Sequence, residues 1–188
     1  MTGHHLILGE LTDVVTGEVL EDSHDERYRQ KIARILLTEK GFSQSDITPR
    51  IPLTVAAGAR RGRIRVEYMA AVDGRDGMMI KYGPGSLITR HRPALAMARL
   101  LAGRQIPVVV VTNGEDVDIL DGDSGRIIGR GFEAIPTRDQ LEAIMARHAF
   151  DPISPARTEM EARIVYCYEI DGSCPCDTDI CRLGEGEA

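Results

Sequence analysis

Ile106-Pro107-Val108-Val109-Val110-Val111, closed by Thr112-Asn113-Gly114, is the stretch on which the fold reading turns. A short, continuous run of β-branched apolar residues ended by a turn signal predicts a strand buried on both faces, and helices are what cover two faces. Upstream, Ala94, Leu95, Met97, Ala98, Leu100 and Leu101 predict a helix that stops at Gly103. The helix leads into the buried strand, as in a crossover connection. Downstream, Val117 and Ile119 alternate with acids, so residues 116–120 predict a strand facing its neighbour across the Asn113-Gly114 turn. The turn at 121–125 then leads to a strand at 126–129, and Pro136-Thr137 opens a helix bearing Leu141, Ile144 and Met145.

Further upstream, Ser23-His24-Asp25-Glu26 fits a capping box, in which the Ser23 hydroxyl accepts a backbone N–H and the Glu26 carboxylate reaches back. Tyr28, Ile32, Ile35 and Leu36 follow at helical spacing, and Gly41-Phe42 resembles a left-handed cap with its apolar clasp. Residues 50–54, 63–72 and 77–82 predict strands, the last two joined as a hairpin through the turn at 73–77. Residues 83–86 are a loop; they lack the Gly-Lys-Ser/Thr ending of a phosphate-binding loop. The expected fold class is therefore α/β, a mixed central sheet flanked by helices.

The chain has 188 residues, 43% of them apolar and 28% charged, with a net charge of −6. That composition excludes disordered and collagen-like classes. No apolar run approaches the roughly 20 residues of a spanning helix, and the first residues lack a basic flank before an apolar stretch, so a cytoplasmic protein without membrane attachment is expected. Aromatic residues make up 4% of the chain and Trp is absent, which argues against modules that stack bases on several rings. All of the net charge falls in residues 149–188, with nine acids against three bases, and so do all four cysteines. Asp151-Pro152 and Ser154-Pro155 punctuate the chain there, dividing a body at 1–149 from an acidic, cysteine-rich C-terminal tail at 150–188.

Three strings in this order resemble the N-terminal domain of type I restriction enzyme R subunits, a branch of the PD-(D/E)xK, restriction-endonuclease-like fold. They are Ser23-His24-Asp25-Glu26-Arg27-Tyr28-Arg29-Gln30, residues 108–114, and residues 124–136. The resemblance covers about residues 10–140. It implies a nuclease site in which two carboxylates hold Mg²⁺ and a lysine orients water. Arg65-Val66-Glu67 is similar to the family's Arg-x-Asp element, which puts Glu67 at the first acid position. Met78-Met79-Ile80-Lys81 is similar to the next strand; it keeps Lys81 but has Met79 where the second acid belongs, and a thioether is a poor ligand for a hard cation. Glu26 is the third candidate, so the resemblance implies catalytic positions at Glu26, Glu67 and Lys81.

A plainer reading makes Glu67 and Lys81 a cross-strand ion pair on a sheet surface, worth about 0.5 kcal/mol, and Glu26 a capping residue. Arg61, Arg63 and Arg65 share one face of a strand with Glu67, because side chains alternate, and form a candidate DNA-binding stripe. The alternative is a charged hairpin edge that resists pairing. Cys167, Cys174, Cys176 and Cys181 supply four thiols, the number that Zn²⁺ or an iron–sulfur cluster takes, at a spacing that matches neither a zinc ribbon nor a ferredoxin run. Reduced thiols or disulfides are the other readings, and a reducing compartment disfavours the latter.

The expected function is a restriction-endonuclease-like domain, DNA-associated, with a degraded nuclease site. An active Mg²⁺-dependent DNA endonuclease and a non-catalytic interaction module with a metal-bound tail are the alternatives. A protein partner or homo-oligomer is compatible with each.

Overall fold

The computed structural model describes residues 7–171 and 180–183. Two strands, β1 (Ile7–Thr12) and β2 (Val19–Ser23), form an antiparallel hairpin ahead of the first helix, α1 (His24–Thr38). Then come β3 (Ile47–Ala57), β4 (Arg60–Val72) and β5 (Arg75–Tyr82), the helix α2 (Ile88–Ala102), and β6 (Val108–Thr112), β7 (Val117–Asp121) and β8 (Ile127–Arg130). Two helices, α3 (Arg138–Met145) and α4 (Pro155–Val165), and a final strand, β9 (Ile180–Leu183), complete the described chain. The main sheet runs β3-β4-β5-β6-β7-β8, with β9 paired to β4. All pairings in it are antiparallel except β5–β6, the pair that α2 connects. This is a mixed sheet between two helical layers, as the valine run predicts: Val108, Val109, Val110 and Val111 are all fully buried.

Alternation along the strands builds two cores. Met78, Ile80, Val108 and Val110 pack with Ile32, Ala33 and Leu36 of α1 and with Leu141 of α3. Met79, Val109 and Val111 pack on the opposite face with Ala94, Leu95 and Met97 of α2 and with Ala162 and Val165 of α4. Each fully buried aliphatic side chain contributes about 1.5–3 kcal/mol of apolar burial, so both layers anchor the central strands.

Three expectations change. The hairpin of β1 and β2 lies outside the predicted elements. The Ser23 hydroxyl caps α1 by accepting the Glu26 amide at 3.1 Å, but the Glu26 carboxylate turns inward to Gln30. The C-terminal segment is no separate cysteine-rich tail. Ser154-Pro155, read as a break, is a helix start, with the Ser154 hydroxyl accepting the Arg157 amide and proline in the first turn. Val165 and Ile170 are fully buried, and β9 joins the main sheet. Cys167 and Cys181 are exposed, and among the described residues no group of three or more His, Cys, Asp or Glu is placed to hold a metal ion. Cys174 and Cys176 lie outside the described residues.

What fastens α4 is a buried charge cluster. Glu161 is fully buried; its carboxylate accepts from Arg99 of α2 at 3.0 Å and from Arg157 at 2.6 Å, and pairs with Arg92. Burial pushes the Glu161 carboxyl up, but Arg157, Arg92 and Arg99 outweigh it and hold the group below its ordinary range. Arg99 also donates to the carbonyls of Gly122 and Asp123.

Candidate functional site

Strand β4 changes partners along its length. It pairs with β9 over Arg61–Ile64 and with β5 over Tyr68–Val72, so Glu67 sits where the sheet forks. The backbone there leaves a polar opening, and the Glu67 side chain fills it. Its Oε2 accepts the backbone N–H of Tyr82 at 2.9 Å, at the end of β5. Its Oε1 accepts from Lys81 Nζ at 3.2 Å. The Glu67 side chain is 4% exposed and that of Lys81 11%, so this pair is buried and is not the surface pair of the plainer reading. Removing one partner of such a pair costs about 3 kcal/mol, because the other is left charged and dry.

Helix α1 supplies the opposite wall. Positions three and four apart share a helix face, which puts Glu26, Arg29 and Gln30 together. Arg29 bridges the two acids: its guanidinium lies 3.5 Å from Glu26 Oε2 and 3.6 Å from Glu67 Oε1. Gln30 is fully buried and donates to Glu26 Oε1 at 2.8 Å and to Asp13 Oδ2 at 3.2 Å, while its carbonyl accepts the Val14 amide. Asp13 in turn pairs with Arg50. Burial pushes the Asp13 carboxyl up, but Arg50 and the amides of Thr16 and Val15 outweigh it and hold the group below its ordinary range. Arg50 has a positive φ of 50°, a bend within β3 on the strand flanking Glu67. The N-terminal hairpin is thus tied to the site through Asp13, and Asp13, Arg29, Gln30 and Arg50 are site residues that sequence reasoning missed. The Arg29-Gln30 pair of the first family string was the available signal for Gln30.

Glu26, Arg29, Arg50, Arg65, Glu67 and Tyr68 line one cleft at this fork. Of the three residues implied by the resemblance, Glu26 and Glu67 line this cleft, while Lys81 is not among the lining residues and reaches the site through its 3.2 Å contact with Glu67. Met79 does not take part in the cleft lining. It pairs with Met69 across β4–β5, and both side chains are buried in the core under α2 and α4. Burial pushes the Tyr68 phenol up, with the Glu26 charge adding to it, so the hydroxyl stays protonated and donates to the Arg29 carbonyl at 3.0 Å.

The donor set does not fit Mg²⁺ as it stands. Each of the four oxygens of Glu26 and Glu67 already faces an N–H donor: Gln30 and Arg29 for Glu26, Lys81 with Arg29 and the Tyr82 amide for Glu67. A hard divalent ion needs anionic oxygen with its lone pairs open, and Met79 supplies none.

Arg61, Arg63 and Arg65 lie on the solvent face of β4. Their cross-strand neighbours are Ala56, Thr54 and Pro52 of β3, and Leu183 and Cys181 of β9 opposite Arg61 and Arg63. None of these neighbours is acidic. The arginine stripe is not a hairpin edge either, since β3 and β9 pair with β4 on its two sides. Arg65 continues the stripe into the cleft. His91 and Asp118 form a separate pair, 2.8 Å apart, on α2 and β7.

Among the described residues no helix is long and apolar enough to cross a membrane. No curated protein and no solved structure matches the chain. The family model described as the type I restriction enzyme R protein N terminus matches residues 24–136, from the start of α1 to just past β8, and includes every residue lining the cleft. By that match, which spans more than half of its length, the chain belongs to the family of type I restriction enzyme R protein N-terminal domains.

Proposed function

We propose that the protein is a restriction-endonuclease-like domain that holds duplex DNA without cutting it. The observation that carries this reading is the basic stripe of β4: Arg61, Arg63 and Arg65 are exposed, recur at every second residue, about 6.5 Å apart, and run into the cleft at Glu67. Guanidiniums in a row meet a phosphate backbone through charge and paired N–H donors, without reading sequence. Loss of cleavage is supported by Met79, whose thioether lies in the core at the position of the second acid, and by the donors already facing Glu26 and Glu67. Lys81 then serves as the buried counter-ion of Glu67 instead of orienting a water.

Fluorescence anisotropy with a labelled duplex of about 20 base pairs at low salt tests the reading. The expected result is binding that weakens steeply with salt and falls about tenfold or more when Arg61, Arg63 and Arg65 are all changed to Ala. Absence of binding at low salt would remove the reading, as would binding unaffected by the triple change.

A further inference from the structure

We propose that the outward face of α4 joins two copies of the chain, with the two helices packed antiparallel about a two-fold axis. Helix α4 turns Glu161, Ala162 and Val165 inward. Its opposite side is not polar throughout, as a purely solvated face would be. Met160 is 43% exposed and Ile164 half-buried, four residues apart on one ridge, and the exposed Ala156 extends that ridge by a turn. Past Val165 the chain continues in the wider π-helical turn Tyr166–Asp171, which keeps Tyr166, Glu169 and Ile170 inward and leaves Tyr168 61% exposed beside the ridge. Methionine and tyrosine gathered on one side of a helix form the kind of patch that contact surfaces favour.

What commits this face to a second copy is its self-complementarity. In a two-fold contact each residue meets the one equally far along the helix on the other side of the axis. With the axis passing residues 161–162, Met160 meets the partner's Ile164, and the small Ala156 meets the large Tyr168 of the partner subunit. Glu159 and Arg163 lie a turn apart on one flank of the ridge, with side chains 64% and 62% exposed. Turning a helix end over end about the axis sets that flank against the same flank of its partner, so Glu159 meets the partner's Arg163 and Arg163 the partner's Glu159. One axis position thus satisfies the apolar ridge, the size match and the charges together. Ile64 and Val66 of β4 belong to the core layer that α4 covers, so Arg61, Arg63 and Arg65, which alternate with them, sit on the other face of the sheet. Contact through α4 leaves both arginine stripes open, and the inference does not depend on the DNA reading.

Sedimentation equilibrium of the full chain without DNA, across about 5–500 µM, is the test. Wild type is expected to rise from the monomer mass of 20.7 kDa toward twice that value. Met160→Lys, at an exposed position that folding does not need, is expected to weaken association by about tenfold or more. Glu159→Arg alone sets arginines against arginines across the flank, and Arg163→Glu alone sets glutamates against glutamates, so each is expected to weaken association by a similar factor of about ten. Mixing these two variants in equal amounts pairs an arginine flank with a glutamate flank and is expected to restore association as a heterodimer. Wild type that keeps the monomer mass at every concentration would overturn the proposal, and that measurement needs no variant to fold. So would a dimer that Met160→Lys leaves intact, which puts the contact on another face, or a mixture no more associated than its two components.

Discussion

Met79 lies directly across from Met69 in the β4–β5 ladder, and both side chains are sealed under α2 and α4, two residues before Lys81, which pairs with Glu67. Position 79 is therefore part of the core. A carboxylate there would be buried without a partner among the apolar side chains of that layer. Met79→Glu is expected to destabilise the fold by about 3 kcal/mol, read as a lower urea midpoint with an unchanged slope. An unchanged midpoint would show that position 79 opens into the cleft.

The cluster around Glu161 makes a second test. Glu161→Ala leaves Arg99 buried with no carboxylate and releases α4 from α2. A loss of about 3–5 kcal/mol is expected in urea unfolding, whereas Glu159→Ala, an exposed pair with Arg163 on the same helix, should cost under about 1 kcal/mol. Equal effects would contradict the assignment of Glu161 as the anchor.

Asp13 gives stability a pH dependence of known sign. Its carboxyl is held low in the folded protein, so its contribution is complete above the unfolded value of about 4 and is lost as pH falls through the lower folded value. Asp13→Asn should thus be less stable than wild type at pH 7, with the difference closing toward pH 2. A deficit that stays constant from pH 7 to pH 2 would mean that the Arg50 ion pair does not carry the effect.

Gly62 is the point where the C-terminal segment presses on β4. A Cβ at Gly62 would lie 2.7 Å from Ile170 Cδ1 and 3.1 Å from the Cys181 carbonyl oxygen. Gly62→Val is expected to loosen residues 166–171 and 180–183 from the sheet and speed proteolysis of the C-terminal segment, while leaving the cores built around α1 and α3 folded. Unaltered protease resistance would contradict the close contact.

The layers of this fold were legible because their signals are local. The valine run, the helix ending at Gly103 and the turns at 73–77 and 121–125 each carry their own period or punctuation. The hairpin at β1 and β2 was not, since its strands expose Ile7, Leu8 and Val19 and show little alternation. The C-terminal segment was misread because its acids look solvated in sequence, while Glu161 and Glu169 are buried against arginines of α2, a long-range fact. At the cleft, family resemblance pointed to Glu26 and Glu67, which line it, and to Lys81, which pairs with Glu67, and alternation gave the exposed face of Arg61, Arg63 and Arg65. Neither shows that Arg29 stands between the acids, because that contact joins a helix to a strand 38 positions away.

The central claim is retention of DNA without cleavage, and a native agarose gel of supercoiled plasmid incubated with the protein and Mg²⁺ or Mn²⁺ tests both halves in one experiment. The account predicts a retarded band that returns to the supercoiled position after deproteinisation. Nicked or linear product that disappears with Lys81→Ala, or a plasmid that is never retarded, would contradict it.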